Sequence, residues 1–392
     1  MNRREKGYFS FFETLKKLDD INLRMKVLVI NTVPTEKNGI TNVIFNYLVA
    51  SKHNAIQMDV LMINDAEQGY KNEVVKCGGK AIVIKRSSNS IMSYFMRLIR
   101  VIRNNKYDAV HIHGNSHTMV LELLAAKLGG CKVRITHSHN TTCNSLALHK
   151  LLTPLFNNLY THGLACGKEA GIWQYGNRPF KIINNGVDTN RFAFNQDVRI
   201  KIRQKLGLTD DQILIGNVGH FWGKVKNQSF LVDVFSELVK RYNNYHLVLI
   251  GDGAMRPEIE KKVDSLGLKD KVTFTGNINN VSDYLNAIDI IVMPSLFEGL
   301  PLTLVEQQAN GLRCVVSDAI TTEADKTGNM TFLPLSMSAS EWVDKINGMQ
   351  QDSDKDRIIR SEKAVSDIAA SGYSIKEEAR KLKEYYIKAI RG

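Results

Sequence analysis

The sequence predicts an α/β protein made of two doubly wound domains in tandem. Three observations carry this. Short apolar runs, rich in Val and Ile, recur along the chain and read as strands buried on both faces. Each is followed by a loop with turn chemistry and then by a segment of helical periodicity. The alternation that begins at Met25 starts again at Ile213, so the chain holds two such units.

Composition sets the frame. A length of 392 residues suits two or three domains. Hydrophobic residues make up 43% and charged residues 23%, the balance of a globular protein. No apolar run is long enough to span a bilayer. The basic start, Met1 to Lys6, lacks the apolar core of a secretory leader. Five cysteines, at 77, 131, 143, 166 and 314, are odd in number and never spaced C-x-x-C. They read as reduced thiols of a cytoplasmic protein, not as disulfides or zinc ligands.

Residues 1–24 form an extension. Tyr8, Phe9, Phe11, Phe12, Leu15 and Leu18 make an apolar stripe between basic residues. Such a helix could lie on a membrane or pack on the body of the protein. Met25 to Ile30 is a first strand. The loop from Asn31 to Thr41 runs from Pro34 to Gly39 and leads into a helix from Val43 to Ala50. It is not G-x-G-x-x-G, so the usual dinucleotide fingerprint is absent. Strands follow at Met58–Ile63 and Ala81–Ile84, then a basic helix at Ile91–Asn104. Strand-to-loop transitions come next at Asp108–His117 and Val133–Asn140, each followed by a helix. They bring His113, His117, His137 and His139 to carboxyl ends of strands, where open α/β sheets bind ligands. A metal is not expected there, because no acidic or cysteine ligand pattern accompanies them.

Polar residues to about Asn195 mark the domain boundary. In the second unit the strand from Ile213 ends at Gly219, and Lys226 precedes the helix Phe230–Tyr242. A lysine there, after a glycine turn, suits a diphosphate. Strands at His246–Ile250 and Val272–Gly276 flank the turn Gly251-Asp252-Gly253. The stretch Ile288 to Gly311 is the most informative. It reads as strand, glycine loop, and a helix that starts near Pro301 and stops at Gly311. Backbone amides around Leu300 to Thr303 would be free for phosphate, favoured by the helix dipole. Glu298 lies in the loop. Glu306 lies about 7–8 Å up the helix, a distance that suits a ribose whose diphosphate sits at the helix start. The final helix, Ile375 to Ile390, is long and basic.

Charge is unevenly placed. The net charge is +12, and residues 1–200 carry 27 basic and 14 acidic side chains, so the second part is close to neutral. A basic first half points to an anionic partner such as a membrane face or a phosphorylated acceptor. Nucleic acid is not expected, because the lysines are dispersed and no recognised motif appears.

The segments Val218-Gly219-His220…Lys226-Asn227-Gln228, Gly251-Asp252-Gly253 and Pro294-Ser295-x-x-Glu298-Gly299-Leu300-Pro301…Glu306…Gly311 resemble those of the GT4 family, the group 1 retaining glycosyltransferases. Glu298 and Glu306 match its E-x7-E motif. Arg134 to Asn140 and Ala165 to Gly171 resemble members that act on exopolysaccharide or capsule precursors. The resemblance implies a GT-B fold of two Rossmann-like domains with the donor cleft between them. Residues 25–195 would be the acceptor domain and 196–372 the nucleotide-sugar domain, with a helix from 373 to 392 packing back on the first.

It also implies roles. Glu306 would hold the donor ribose, and Glu298 the donor sugar. Lys226 and the backbone at Gly299, Leu300, Leu302 and Thr303 would bind the diphosphate, with Gly39 approaching it from the first domain. Asn277 would contact the base. His137 would face the sugar near the reacting carbon, with His139 as second candidate. His113, Asn115 and His139 would serve the acceptor. The family usually has arginine where this chain has His220, which leaves Lys226 as the main fixed cation. The expected chemistry needs no metal. It takes a nucleotide-sugar, with UDP as the family's usual carrier, and a glycan or lipid-diphosphate acceptor. It suits a cytoplasmic protein or one peripheral to the inner membrane face. Two other readings compete: a sugar-nucleotide epimerase of the same fold, and a non-catalytic partner of another transferase.

Overall fold

The computed structural model describes residues 25–392 apart from 37, 53–55 and 350–352, and apart from the side chain of Ser88. The extension 1–24 and its apolar stripe lie outside the described residues.

The chain forms two compact units. One comprises the chain up to Gly186 together with Ile375–Gly392, the other Val187–Ser374. The boundary therefore lies before the polar stretch that suggested residue 195. That stretch is ordered into the second unit. Val187 N donates to Tyr373 O at 2.8 Å. Asp188 caps the turn Thr189–Phe192 by accepting from Arg191 N, and Phe192 is buried in the second core. The crossing back falls at Ile375, the first residue of the helix Ile375–Arg391.

The first unit is a seven-stranded parallel sheet. Its strands are β1 (Met25–Pro34), β2 (Ile56–Ile63), β3 (Ala81–Ile84), β4 (Ala109–Gly114), β5 (Val133–Ser138), β6 (His162–Ala165) and β7 (Lys181–Ile182), in the order β3-β2-β1-β4-β5-β6-β7. Alternation decides what each face carries. Leu28, Ile30, Val110 and Ile112 point into an apolar core with Tyr94, Leu98 and Phe156. The opposite face of β4 carries His111 and His113. The helix Ile375–Arg391 packs on this unit, against the helix Gly39–Ala50. Tyr47 from that second helix donates to Asn184 O at 2.5 Å, and Glu378 accepts from Asn184 N at 2.8 Å. The helix begins at Gly39, earlier than its apolar pattern suggested, because the Asn38 side chain caps it by accepting from Thr41 N at 2.9 Å.

The second unit is a six-stranded parallel sheet of β8 (Ile213–Val218), β9 (Tyr245–Ile250), β10 (Val272–Gly276), β11 (Ile290–Met293), β12 (Arg313–Ser317) and β13 (Met330–Leu333), ordered β10-β9-β8-β11-β12-β13. Helices cover both faces, which is why its strands are continuous apolar runs. Ile213, Ile215 and Val292 pack with Phe235 and Trp342. Leu214, Ile291 and Met293 pack with Leu304 and Val305. The helix Gln68–Lys76 escaped the periodicity reading because it buries only Val74. No described helix is long and apolar enough to cross a membrane.

Candidate active site

The order of the second sheet reverses between β8 and β11, and ligands of open parallel sheets bind at carboxyl ends beside such a reversal. Two loops emerge there, 219–227 from β8 and 294–301 from β11. They are tied together. Leu296 N donates to Val225 O at 2.8 Å, and Asn227 Nδ2 donates to Pro294 O at 3.0 Å.

Those ties bring Lys226 Nζ to 2.6 Å from Glu298 Oε1, with the side chains 11% and 14% exposed. The sequence assigned these residues to different parts of a ligand; the structure joins them in an ion pair. Glycines make room for the lysine. A Cβ at Gly219 would come within 3.3 Å of Lys226 Cδ and Cε. A Cβ at Gly251, whose φ is 139°, would overlap the Gly219 carbonyl oxygen. Phe221 N donates to Asp252 O and Met255 N to Phe221 O, each at 2.9 Å, so the glycine turn after β9 braces the loop after β8. His220 is exposed, and Trp222 N donates to its Nδ1 at 3.3 Å. Partial burial and then the Lys226 charge push its pKa below the usual imidazole value, against a smaller pull from Glu298. His220 is therefore neutral at pH 7, and Lys226 is the loop's buried cation, with Lys224 exposed beside it.

The helix after β11 spans Leu302–Ala309 with Pro301 as its cap, so it starts one residue later than expected. The amides of Leu302 and Thr303 have no acceptor within the helix. The Thr303 hydroxyl is buried and has no hydrogen-bond partner among the described residues. Gly299 is exposed and Leu300 half-buried. Further up, Glu306 keeps part of its surface, yet burial pushes its carboxyl up to about 7, with Arg191 pulling the other way. Asn277 is exposed just past β10.

Sequence reasoning missed two features here. Arg191 reads as linker in the sequence, yet it sits close enough to Glu306 to favour its charged form. Trp222 and Phe297 are 65% and 63% exposed, and Leu296 and Val225 of the same two loops are exposed as well. Two large aromatics in loops that also carry Lys226 and Glu298 were the available signal.

In the first unit the reversal lies between β1 and β4. Period-two alternation puts His111 and His113 on one face of β4, and His113 pairs in register with His137 of β5. Ring centroids are 4.2 Å apart for His111 and His113, 5.1 Å for His113 and His137, and 4.3 Å for His137 and His139. Burial, and secondarily neighbouring imidazoles, hold His111, His113 and His137 well below the usual histidine range. Burial lowers His139 to about 4. All four rings are neutral at pH 7. His137 is fully buried, whereas His139 is partly exposed and its N–H donates to the Asn115 side-chain carbonyl at 3.2 Å. His113 lies beneath it. Gly39 is exposed at the start of its helix.

His117 separates from this group. It stacks on His149 at 3.7 Å and its ring nitrogens meet His149 O, Thr153 Oγ1 and Gln174 O, which makes it structural. His111 takes its place, and the His-x-His spacing of period two was a signal for it. The cavity of about 510 Å³ bounded by Arg199, Arg203 and Asp289 opens at the amino ends of β8 and β11 and is unrelated to these residues.

The family model described as Glycosyl transferases group 1 matches residues 198–364. EpsF of Bacillus subtilis (strain 168), named as a glycosyltransferase, is 32% identical over 324 residues, covering 79% of this chain and 84% of EpsF. The Escherichia coli UDP-Gal:alpha-D-GlcNAc-diphosphoundecaprenol alpha-1,3-galactosyltransferase is 32% identical over 246 residues, 58% of this chain and 62% of that one. Among solved structures, Anabaena HepE in complex with UDP and glucose matches with a TM-score of 0.75 at 17% identity, over 93% of this chain and 100% of HepE. That likeness is one of fold, the two-domain α/β GT-B fold. With EpsF aligned across most of both chains and the family model spanning the Lys226–Glu298 loops, the chain belongs to the group 1 glycosyltransferases.

Proposed function

We propose that the protein moves a sugar from a UDP-sugar, with retention of configuration, to a glycan or lipid-diphosphate acceptor in the building of an exopolysaccharide, capsule or other surface polysaccharide. The observation that carries this is the Lys226–Glu298 pair at the sheet reversal, beside the start of a helix that holds Glu306. A diphosphate finds there one fixed cation and the free amides of Leu302 and Thr303. Gly299 and Leu300 let its oxygens approach the backbone. Glu306 accepts from the ribose hydroxyls, Asn277 lies at the base, and Glu298 turns from Lys226 to the hydroxyls of the sugar. The loop before Gly39 supplies a further phosphate contact.

The bond between the sugar's anomeric carbon and the diphosphate oxygen breaks, and negative charge gathers on the leaving nucleotide. Lys226 and the helix amides stabilise that charge with groups already in place. The acceptor hydroxyl attacks on the same face, and its proton passes to the departing phosphate oxygen. His139, being partly exposed, meets substrate first; His113 and Asn115 hold it, and His137 backs it at the reacting carbon.

Support for the acceptor class comes from the E. coli relative, whose name specifies a sugar linked to diphosphoundecaprenol. The basic first half fits an anionic membrane face. So does the helix Leu146–Leu159, which exposes Leu148, Leu151 and Leu155 around Lys150. The protein then works peripherally at the cytoplasmic side. A panel of nucleotide sugars tests the donor: a UDP-sugar raises the melting temperature and other nucleotide sugars do not. Stabilisation by none of them would contradict the reading. Vesicle flotation tests the surface, with binding that needs anionic lipid and weakens with salt; equal binding to neutral vesicles would remove the charge argument.

A further inference from the structure

The four stacked histidines are more than sugar binding requires. Three of their ring nitrogens, His111 Nε2 and both nitrogens of His137, are buried with no hydrogen-bond partner among the described residues. Buried polar atoms are rarely left this way, so a ligand for them is indicated. His111, His113 and His137 each offer a nitrogen, and these three atoms lie within 4.8 Å of one another.

The surroundings orient the set. Asn185 Oδ1 lies 3.0 Å from His139 Nδ1, which therefore carries the proton and donates. That leaves a lone pair on His139 Nε2, which lies 2.8 Å from His113 Nδ1. His113 Nδ1 donates to it, and the lone pair of His113 falls on Nε2. His111 Nδ1 is held by the Tyr386 hydroxyl at 2.6 Å, which directs its Nε2 inward. The Ile183 carbonyl lies near the His137 ring without hydrogen-bonding it, and one His137 nitrogen keeps its lone pair. Outer partners that fix the tautomer and ring angle are the usual companions of metal-binding imidazoles.

We propose that His111, His113 and His137 form a binding site for a first-row divalent transition ion, with water as a fourth ligand. Three imidazoles and no carboxylate select Zn²⁺, Co²⁺ or Cu²⁺ over Mg²⁺ and Ca²⁺. Tetrahedral coordination at about 2.0–2.1 Å needs the nitrogens about 3.3 Å apart, so ring swings on the order of an ångström complete the site. With no anionic protein ligand, the compensating charge comes from the bound water, whose pKa such an ion lowers towards about 7.

The test uses the tag-free full chain, treated with chelator and titrated with Co²⁺. One equivalent should bind per chain, with the visible absorption of four-coordinate cobalt, and Zn²⁺ should displace it. His137→Ala should abolish the spectrum. Tyr386→Phe, which keeps all three ligands, should weaken binding roughly 10-fold or more. Folding of each is checked by circular dichroism. A folded wild-type chain that gives no cobalt spectrum, a thiolate charge-transfer band in its place, or unchanged binding in folded His137→Ala would overturn the proposal. The measurement uses no sugar donor, so its failure is distinct from failure of the transferase reading.

Discussion

Lys226 and Glu298, which are 72 residues apart in sequence, pair at 2.6 Å from two loops that converge at one sheet reversal. The pair keeps a nearly buried ammonium in place and neutral in sum until a stronger anion arrives. A diphosphate carries more charge than the carboxylate and competes for the same Nζ. Glu298→Gln should therefore bind UDP about tenfold more tightly, roughly 1.4 kcal/mol, while losing most transfer. Lys226→Met should bind UDP at least about 30-fold more weakly, in line with the roughly 2 kcal/mol or more expected for a desolvated charge contact. Calorimetric titration with UDP reads both. Unchanged UDP affinity in Glu298→Gln would mean that the carboxylate and phosphate do not share the lysine.

Glu306 has a carboxyl raised by burial from 4.5 to about 7. The unfolded chain ionises first, so stability is lost as pH rises from about 4.5 to about 7. Glu306→Gln removes that loss. Its advantage in unfolding free energy should be absent near pH 4 and grow to about 2 kcal/mol by pH 8, after discounting for partial exposure. The same variant should lose UDP binding, because the ribose needs the carboxylate. A pH-independent difference in stability would contradict the raised carboxyl.

His220 is neutral at pH 7 because partial burial and Lys226 hold its pKa down. Protonation at lower pH adds a cation to the phosphate loop, so its contribution to UDP affinity rises as pH falls. Glu306 works in the opposite direction. In a Glu306→Gln background, residual UDP affinity relative to that of Glu306→Gln/His220→Ala should increase towards pH 5, a comparison that cancels protonation of the UDP terminal phosphate at about pH 6. His220→Arg should bind about fivefold more tightly at low salt, the effect of roughly 1 kcal/mol from a partly exposed charge, and should lose that gain in high salt. Isotherms across pH and salt check it.

Gly251 cannot carry a side chain without displacing Gly219. Gly251→Ala should cost about 2–3 kcal/mol by denaturant unfolding, through overpacking and a φ of 139°. A fully stable variant with normal UDP affinity would show that the loop after β9 does not brace Lys226.

Much of this was legible because it is local. Pro301 and Gly311 bracket a helix by their own backbone preferences, and apolar runs such as Ile290–Met293 announce buried strands. What escaped depends on contacts distant in sequence. Nothing in the chain near Lys226 says that Glu298 will reach it. The stretch around Arg191 is polar and reads as linker, yet Phe192 buries itself in the second core. His117 resembles the histidine group in its strand-end position but not in the direction it faces. Alternation along β4 places His111 and His113 together, while His117 turns into the neighbouring helices.

The proposed role of Lys226, Glu298 and Glu306 is to hold a sugar nucleotide for retaining transfer. Nuclear magnetic resonance of the glycoside made from a UDP-sugar and a lipid-diphosphate acceptor tests it most directly. The wild type should yield a product with the donor's anomeric configuration, and Lys226→Ala and Glu306→Ala should yield almost none while remaining folded. An inverted product, or wild-type yield from either variant, would contradict the account.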